Sequence, residues 1–416
     1  MHIVKNNAAL AQLASECEKE LGAVFAEIDQ TAYKNTEKVM RVFATNQLSE
    51  RHFATTSGYG YNDDGRDMCD RLFAQVFGCE SGFARHNIIS GTHAIAIALF
   101  GLLRPNDTLY SVTGKPYDTL DNVIGLSGAN GDGSLADFGV KYRQTELIDG
   151  KTLDYEAIKN TLISDKSIKV VFAQRSKGYL SRRSLPSSEI NALYELVKQY
   201  SGAYLVVDNC YGEFCEETEP KADILVGSLI KNPGGGIAET GGYIVGTKKA
   251  VELASYRLTV PGIGLEAGAS LGQTKNMIKG LFFAPHATAQ ALKTAVFAAL
   301  LFEKLGYDVS PTAFEKRVDI IQTVNLKNAD TLLKFCRGIQ AGSPIDSFVE
   351  PVGWAMPGYN DEVVMAAGTF TQGSSIELSA DAPIREPYTV YLQGGVTYES
   401  GKYGILSAAR YMLDLI

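Results

Sequence analysis

Short apolar runs of strand length alternate with longer amphipathic stretches through the middle of the chain. The runs DTLYSV, SIKVVFAQ, AYLVVD, ADILVGS and GGYIVG are rich in β-branched and aromatic residues and bounded by polar segments, which predicts strands. Between them, AIAIALFGLL and SSEINALYELVKQY carry helical patterns. Strands alternating with helices over residues 56–284 predict an α/β domain with a mostly parallel sheet. Ahead of it, Leu10, Leu13, Leu21, Val24 and Phe25 fall at helical spacing, which predicts a helical arm over 1–55, packed on its own domain or on a neighbouring subunit. From 285 the texture changes. A long helix, HATAQALKTAVFAALLFEKLG, leads to strands VVMAAGTF, SSIELSA and YTVYLQGG and a final helix GILSAARYMLDL, the pattern of a smaller α+β domain over 285–416.

Composition narrows the partners. A net charge of −8 with no long basic run argues against nucleic acid. Lys5, Glu16, Glu18, Lys19 and Glu20 are at odds with a signal peptide, and the most apolar helix is short and carries Lys293, so a cytoplasmic protein without a membrane span is expected. The six cysteines show no CxxC pair and no metal-like spacing with histidine, so reduced thiols are expected and no metal.

In an open α/β sheet, ligands bind beyond the carboxyl ends of the strands. Lys231 follows the strand ILVGS and enters NPGGG, where burial lowers an amine's pKa and makes it a nucleophile; the bland alternative is a surface lysine. Asp208 ends AYLVVD, and a carboxylate there calls for a cation such as a protonated pyridine nitrogen, unless it is a loop or capping aspartate. Ser90, Gly91 and Thr92 open a helix, where free amides favour a phosphate or the hydroxyls simply cap. Ser228 adds a hydroxyl from the far side, and Tyr117 follows DTLYSV, either to stack on a cofactor ring or to pack. Together these residues fit one cofactor, pyridoxal 5′-phosphate (PLP), held as a Schiff base on Lys231. GxGxxG and Walker A patterns are absent, which disfavours a nucleotide-binding protein.

Read in order, these residues resemble the fold-type I PLP enzymes, most closely the Cys/Met-metabolism group. The stretches GYGYNDDGRD, SGTHA, QRSKGY, VVDNCYGEF, SLIKNPGGG and REPYTVYLQGG resemble its methionine γ-lyase-like branch, often labelled aluminium-resistance proteins or provisionally cystathionine β-lyases. The resemblance implies a PLP-dependent transferase-like large domain and a homodimer or dimer of dimers with shared active sites. It implies that Tyr59, or else Tyr61, and Arg66 reach the neighbour's PLP phosphate, and that Arg385 in APIREP holds the substrate carboxylate. It also places Gln174, Arg175 and Ser176 near the cofactor ring oxygen, with Arg182 and Arg183 as further anion donors. Two departures bear on the substrate: Ile230 replaces the threonine of the better-known SxTK, and KPYDT replaces a double-glycine tyrosine loop.

The expected reaction is carbon–sulfur bond cleavage in a sulfur-containing amino acid by β- or γ-elimination. Lys231 serves as base, Asp208 keeps the ring nitrogen protonated, and Tyr59 or Tyr117 assists the leaving group. The rival readings are another PLP reaction, such as aminotransfer or aldol cleavage, and a non-catalytic PLP carrier, for which Arg385 has no use.

Overall fold

The computed structural model describes residues 4–128, 131–356 and 361–415. The first sheet has seven strands: β1 (Ser81–Arg85), β2 (Thr108–Ser111), β3 (Lys141–Gln144), β4 (Ile168–Gln174), β5 (Tyr204–Asp208), β6 (Ile224–Ser228) and β7 (Gly242–Gly246). They run in the order β1-β7-β6-β5-β4-β2-β3, with β7 antiparallel to both β1 and β6 and every other pair parallel. The five runs expected from the sequence are all strands. The two not expected are edges: β3 reads KYRQ and is largely exposed, and β1 is the short SGFAR.

Both faces of this sheet are covered, which is why its central strands read as unbroken apolar runs. Along β5, Leu205 and Val207 point into one core with helices Asp64–Val76 and Ser187–Tyr200, while Val206 points into the other with helix Gly91–Leu102. All three are fully buried, and each such side chain contributes about 1.5–3 kcal/mol. The same alternation sets the chemistry. Gln174, Asp208 and Ser228 carry the parity of Phe172, Val206 and Val226, so all three leave their strands on the face of helix Gly91–Leu102.

The second sheet is antiparallel throughout: β8 (Asp308–Ser310), β9 (Gln322–Asn325), β10 (Trp354–Ala355), β11 (Glu362–Ala366), β12 (Ser379–Pro383) and β13 (Thr389–Gln393), in the order β10-β11-β12-β13-β9-β8. The segment SSIELSA supplies only the start of β12, because residues 375–377 form a turn. Helices Ala329–Ala341 and Tyr398–Met412 pack on this sheet. The N-terminal helix Asn7–Glu20 joins the same core through Leu10, Leu13 and Cys17, so it belongs with the smaller unit of its own chain.

A single helix, Thr274–Lys304, runs through both units, with Met277 and Leu281 in the large core and Val296–Phe302 in the small one. Pro285 sits inside it; a proline removes one backbone donor and bends a helix without always ending it. No helix among the described residues is long and apolar enough to cross a membrane.

Candidate active site

Beyond the carboxyl ends of β5 and β6 lies a cavity of about 210 Å³, lined by Ser90, Gly91, Thr92, Tyr117, Asp208, Ser228 and Lys231. The small unit closes it with Ser375, Ser379, Asp381 and Gln393. A Cβ built on Gly91 would lie 3.1 Å from Cys210 Sγ and 3.9 Å from both Lys231 Nζ and Ser228 Cβ. Only glycine leaves room for a ligand at the helix start.

One end of the cavity is a helix N-terminus. Ser90 caps it, its Oγ accepting from His93 N–H at 3.0 Å, which leaves the remaining first-turn amides without intrahelical partners. Thr92 and Thr119 hydroxyls meet at 2.6 Å. From the other side Ser228 Oγ is buried with no hydrogen-bond partner among the described residues. An orphaned hydroxyl facing a helix N-terminus suits a phosphate group.

At the opposite end Asp208 is buried, and its Oδ1 accepts from Cys210 N–H at 3.1 Å. Tyr117 is half-buried; its N–H donates to Gln174 Oε1 at 2.8 Å and its ring meets that of Tyr179 edge-on at 5.4 Å. Lys231 Nζ stands 4.0 Å from the centre of the Tyr211 ring. Burial pulls the Lys231 pKa down, but Cys210, Tyr211, Asp208 and Glu213 outweigh it, so the amine is held above its ordinary value, opposite to the expected depression. The NPGGG loop has a packing cause. Asn232 Nδ2 donates to the carbonyls of Tyr211 and Glu213 at 3.0 and 2.9 Å, tying the lysine loop to the segment after Asp208. A Cβ on Gly234 would overlap Leu229 O at 1.6 Å, and one on Gly235 would approach Gly280 O at 2.5 Å.

Other expected residues lie elsewhere. Arg175 leaves β4 on the opposite parity; its buried guanidinium pairs with Glu216 at 2.6 Å and bonds Asn209 Oδ1 at 2.7 Å, on the far side of the sheet from helix Gly91–Leu102. Ser176 is buried outside the cavity lining, its carbonyl accepting from Gln174 Nε2 at 3.1 Å and Arg182 Nη2 at 2.8 Å. Arg385 is 43% exposed, paired with Asp361 at 2.6 Å, and lines a separate, larger cleft. Arg66 is buried within its own chain, donating to the carbonyls of Gly60 and Gly268 at 2.6 and 3.0 Å, so its guanidinium braces the Tyr59 loop instead of reaching outward. Tyr59 is 76% exposed and stacks on Tyr61 at 5.6 Å.

The sequence reading did not single out Cys210, Tyr211, Asp381 and Gln393 as cavity residues. Tyr211 has φ +72°, a strained backbone for a bulky side chain and typical of functional sites. Asp381 is the one clear sequence signal among them, an acidic residue in a run of small ones; burial raises its pKa, and Gln393 Nε2 donates to its Oδ2 at 2.9 Å.

Glu213 lies behind the site, accepting from Tyr243 O–H at 2.8 Å, with its second oxygen unpartnered. Burial, with Glu219 adding, pushes its pKa up to about 8 from 4.5, against the opposing pull of its own backbone N–H, Tyr243 and Lys231. Between those values the folded chain keeps the proton and the unfolded chain releases it, so stability falls as pH rises through that window. Glu213→Gln, neutral throughout, is expected to gain in melting temperature over wild type from about pH 5 to about pH 8 and to hold that gain above. A difference independent of pH would refute the assignment.

A family model for methionine gamma-lyase matches residues 10–413. An uncharacterized Bacillus subtilis protein, YnbB, is 48% identical over 409 residues, 97% of each chain. A crystal structure from Clostridium acetobutylicum, provisionally designated a cystathionine beta-lyase involved in aluminum resistance, is 48% identical with a TM-score of 0.94, covering 97% of this chain and 96% of that one. The PLP-dependent protein YhfS from Escherichia coli shares the fold at 15% identity and a TM-score of 0.60, over 94% of this chain and 97% of that one. With a helix N-terminus, a buried carboxylate and a buried lysine converging on one cavity, the chain belongs to the PLP-dependent methionine gamma-lyase family.

Proposed function

We propose that this chain is a carbon–sulfur lyase acting on a sulfur-containing amino acid by β- or γ-elimination. The observation that carries the reading is the meeting of Lys231, Asp208, Ser228 and the Ser90–Thr92 helix start around one cavity. The family match and the provisional cystathionine beta-lyase designation of the Clostridium acetobutylicum structure support it. PLP, when bound, supplies an electron sink that makes the α-hydrogen of an amino acid acidic.

The chain's own residues divide the remaining work. The first-turn amides at Gly91 and Thr92, with Ser228 Oγ, hold a phosphate. Asp208 supplies the anion that keeps a ring nitrogen protonated. A cation bound at Asp208 offsets one of the negative groups that hold the proton on Lys231, which favours Nζ as acceptor of the substrate's Cα proton. Tyr117 covers one side of the ring, and its hydroxyl or that of Tyr59 serves the leaving group. The exposed Tyr59 loop, braced by Arg66, suits a contact with a second copy, so we assign the working unit as a dimer or a dimer of dimers.

The test supplies purified holoenzyme with cystathionine, methionine and cysteine. Release of keto acid, ammonia and a thiol is expected from at least one. Keto acid formed only with an added amino acceptor would replace the reading with aminotransfer. A single-chain sedimentation mass in a fully active preparation would overturn the shared site.

A further inference from the structure

Beside the cofactor cavity, between the loop after β4 and the strands of the small unit, lies a cleft of about 860 Å³. Tyr179 and Tyr391 wall it, and Tyr179 packs on Tyr117, which faces the cavity. Lys177 and Arg182 line it although they are only 3% and 8% exposed. Arg317, 8% exposed, stands close behind Lys177.

Among the described residues none of these three cations forms an ion pair, whereas their neighbours Arg183 and Arg385 pair with Glu189 and Asp361. Lys177 Nζ donates only to Ser310 O, at 3.3 Å. Arg182 Nη2 donates to the carbonyls of Gln174 and Ser176, while its Nε and Nη1 have no partner. Arg317 bonds Gln322 through Nη2 and likewise leaves Nε and Nη1 unused. Asp208 and Glu146 act on Arg182, and Asp319 and Glu315 on Lys177 and Arg317, but none of them comes within ion-pair distance; Asp319 accepts from Ser184 and the Ile321 N–H, and Glu315 from Thr312. Unpaired buried charge is costly, and burial with too little compensation lowers the proton affinity of all three. Such a cluster at the wall of an open cleft is short of an anion.

We propose that the cleft is a binding site for a small oxyanion, held by Lys177 and Arg182 with Arg317 behind them. Arg182 is anchored on the carbonyl that ends β4, next to Asp208, so an anion here sits alongside the cofactor cavity. Its source is either the carboxylate of the amino-acid substrate or a free anion. The site stands independently of the reaction; only the carboxylate source rests on the amino-acid reading above.

The probe is sodium sulfate against sodium chloride at matched ionic strength, applied to PLP-loaded enzyme so that the phosphate cradle is already filled. Wild type is expected to show a saturable rise in melting temperature and saturable binding heat. Lys177→Met, which removes a buried unpaired cation, is expected to melt higher than wild type without sulfate and to lose the sulfate-dependent rise. Arg182→Gln is expected to weaken sulfate binding about tenfold or more, and it carries the test if the methionine variant does not fold. Competition by L-methionine, absent with the amine that lacks the carboxylate, marks the substrate as the source; no competition marks a free anion. A sulfate response that is linear in concentration, or equal in wild type and both variants, overturns the site. Failure of the lyase reading would leave the sulfate response intact.

Discussion

Lys231→Ala is expected to abolish turnover, by at least about 10⁴-fold, and to remove the visible absorbance of lysine-bound cofactor. In the proposed reaction the lysine has two duties, holding the cofactor and moving the Cα proton, and no other amine lines the cavity among the described residues. The substitution also deletes a buried ammonium whose neighbours include Asp208 and Glu213. Glu213, whose raised pKa keeps it protonated up to about 8, then adds no second charge beside Asp208 at neutral pH. The fold is therefore expected to persist, with an unchanged far-ultraviolet spectrum as the check. Lys231→Arg separates charge from chemistry: it keeps the cation over Tyr211 but provides no nucleophilic amine, and it is expected to be as inactive as the alanine variant. Turnover and absorbance retained in either variant would remove Lys231 from the mechanism.

The legible part of the site is the part that lies at the carboxyl ends of parallel strands. There, position along the chain maps to position in space: β5 and β6 are neighbours, so Asp208, Ser228 and Lys231 meet because their strands do. Gly91 and Thr92 were readable for a similar reason, since a helix start is marked locally by Ser90. Arg175 was misplaced by one residue of parity. Gln174 shares the face of Asp208, so the next residue turns toward the opposite core and finds Glu216 there. That alternation was present in SIKVVFAQR and in AYLVVDN. Asp381 and Gln393 were not legible in the same way. They belong to an antiparallel sheet in another unit, and their approach to Lys231 depends on how the two units pack, which no local pattern encodes. Arg385 shows the converse: it lies two residues past the end of β12, where Asp361 takes its guanidinium. The seam at 284/285 was placed by the change of texture along the chain, yet the apolar face of Thr274–Lys304 continues through it because both cores need that helix.

Asp208→Asn is expected to cut kcat by about 10²–10⁴-fold while leaving the fold intact. The amide preserves the acceptor for Cys210 N–H and the side-chain volume, so the turn after β5 keeps its hydrogen bond. The loss is the negative charge. Removing one partner of a buried pair costs about 3–5 kcal/mol, which corresponds to about that factor in rate when the charge is needed in the transition state. PLP affinity is expected to fall in the same variant, because the ring nitrogen loses its counter-ion while the proposed phosphate cradle at Gly91, Thr92 and Ser228 remains. The charge argument has its own control. Cofactor carrying a methyl group on the ring nitrogen is positively charged without any carboxylate, so it is expected to restore part of the activity of Asp208→Asn, measured as kcat after reconstitution. A purely structural role for Asp208 predicts no such rescue, since the methylated ring mends nothing in the protein. Wild-type turnover in the asparagine variant with ordinary PLP would show that the carboxylate is not the ring's partner.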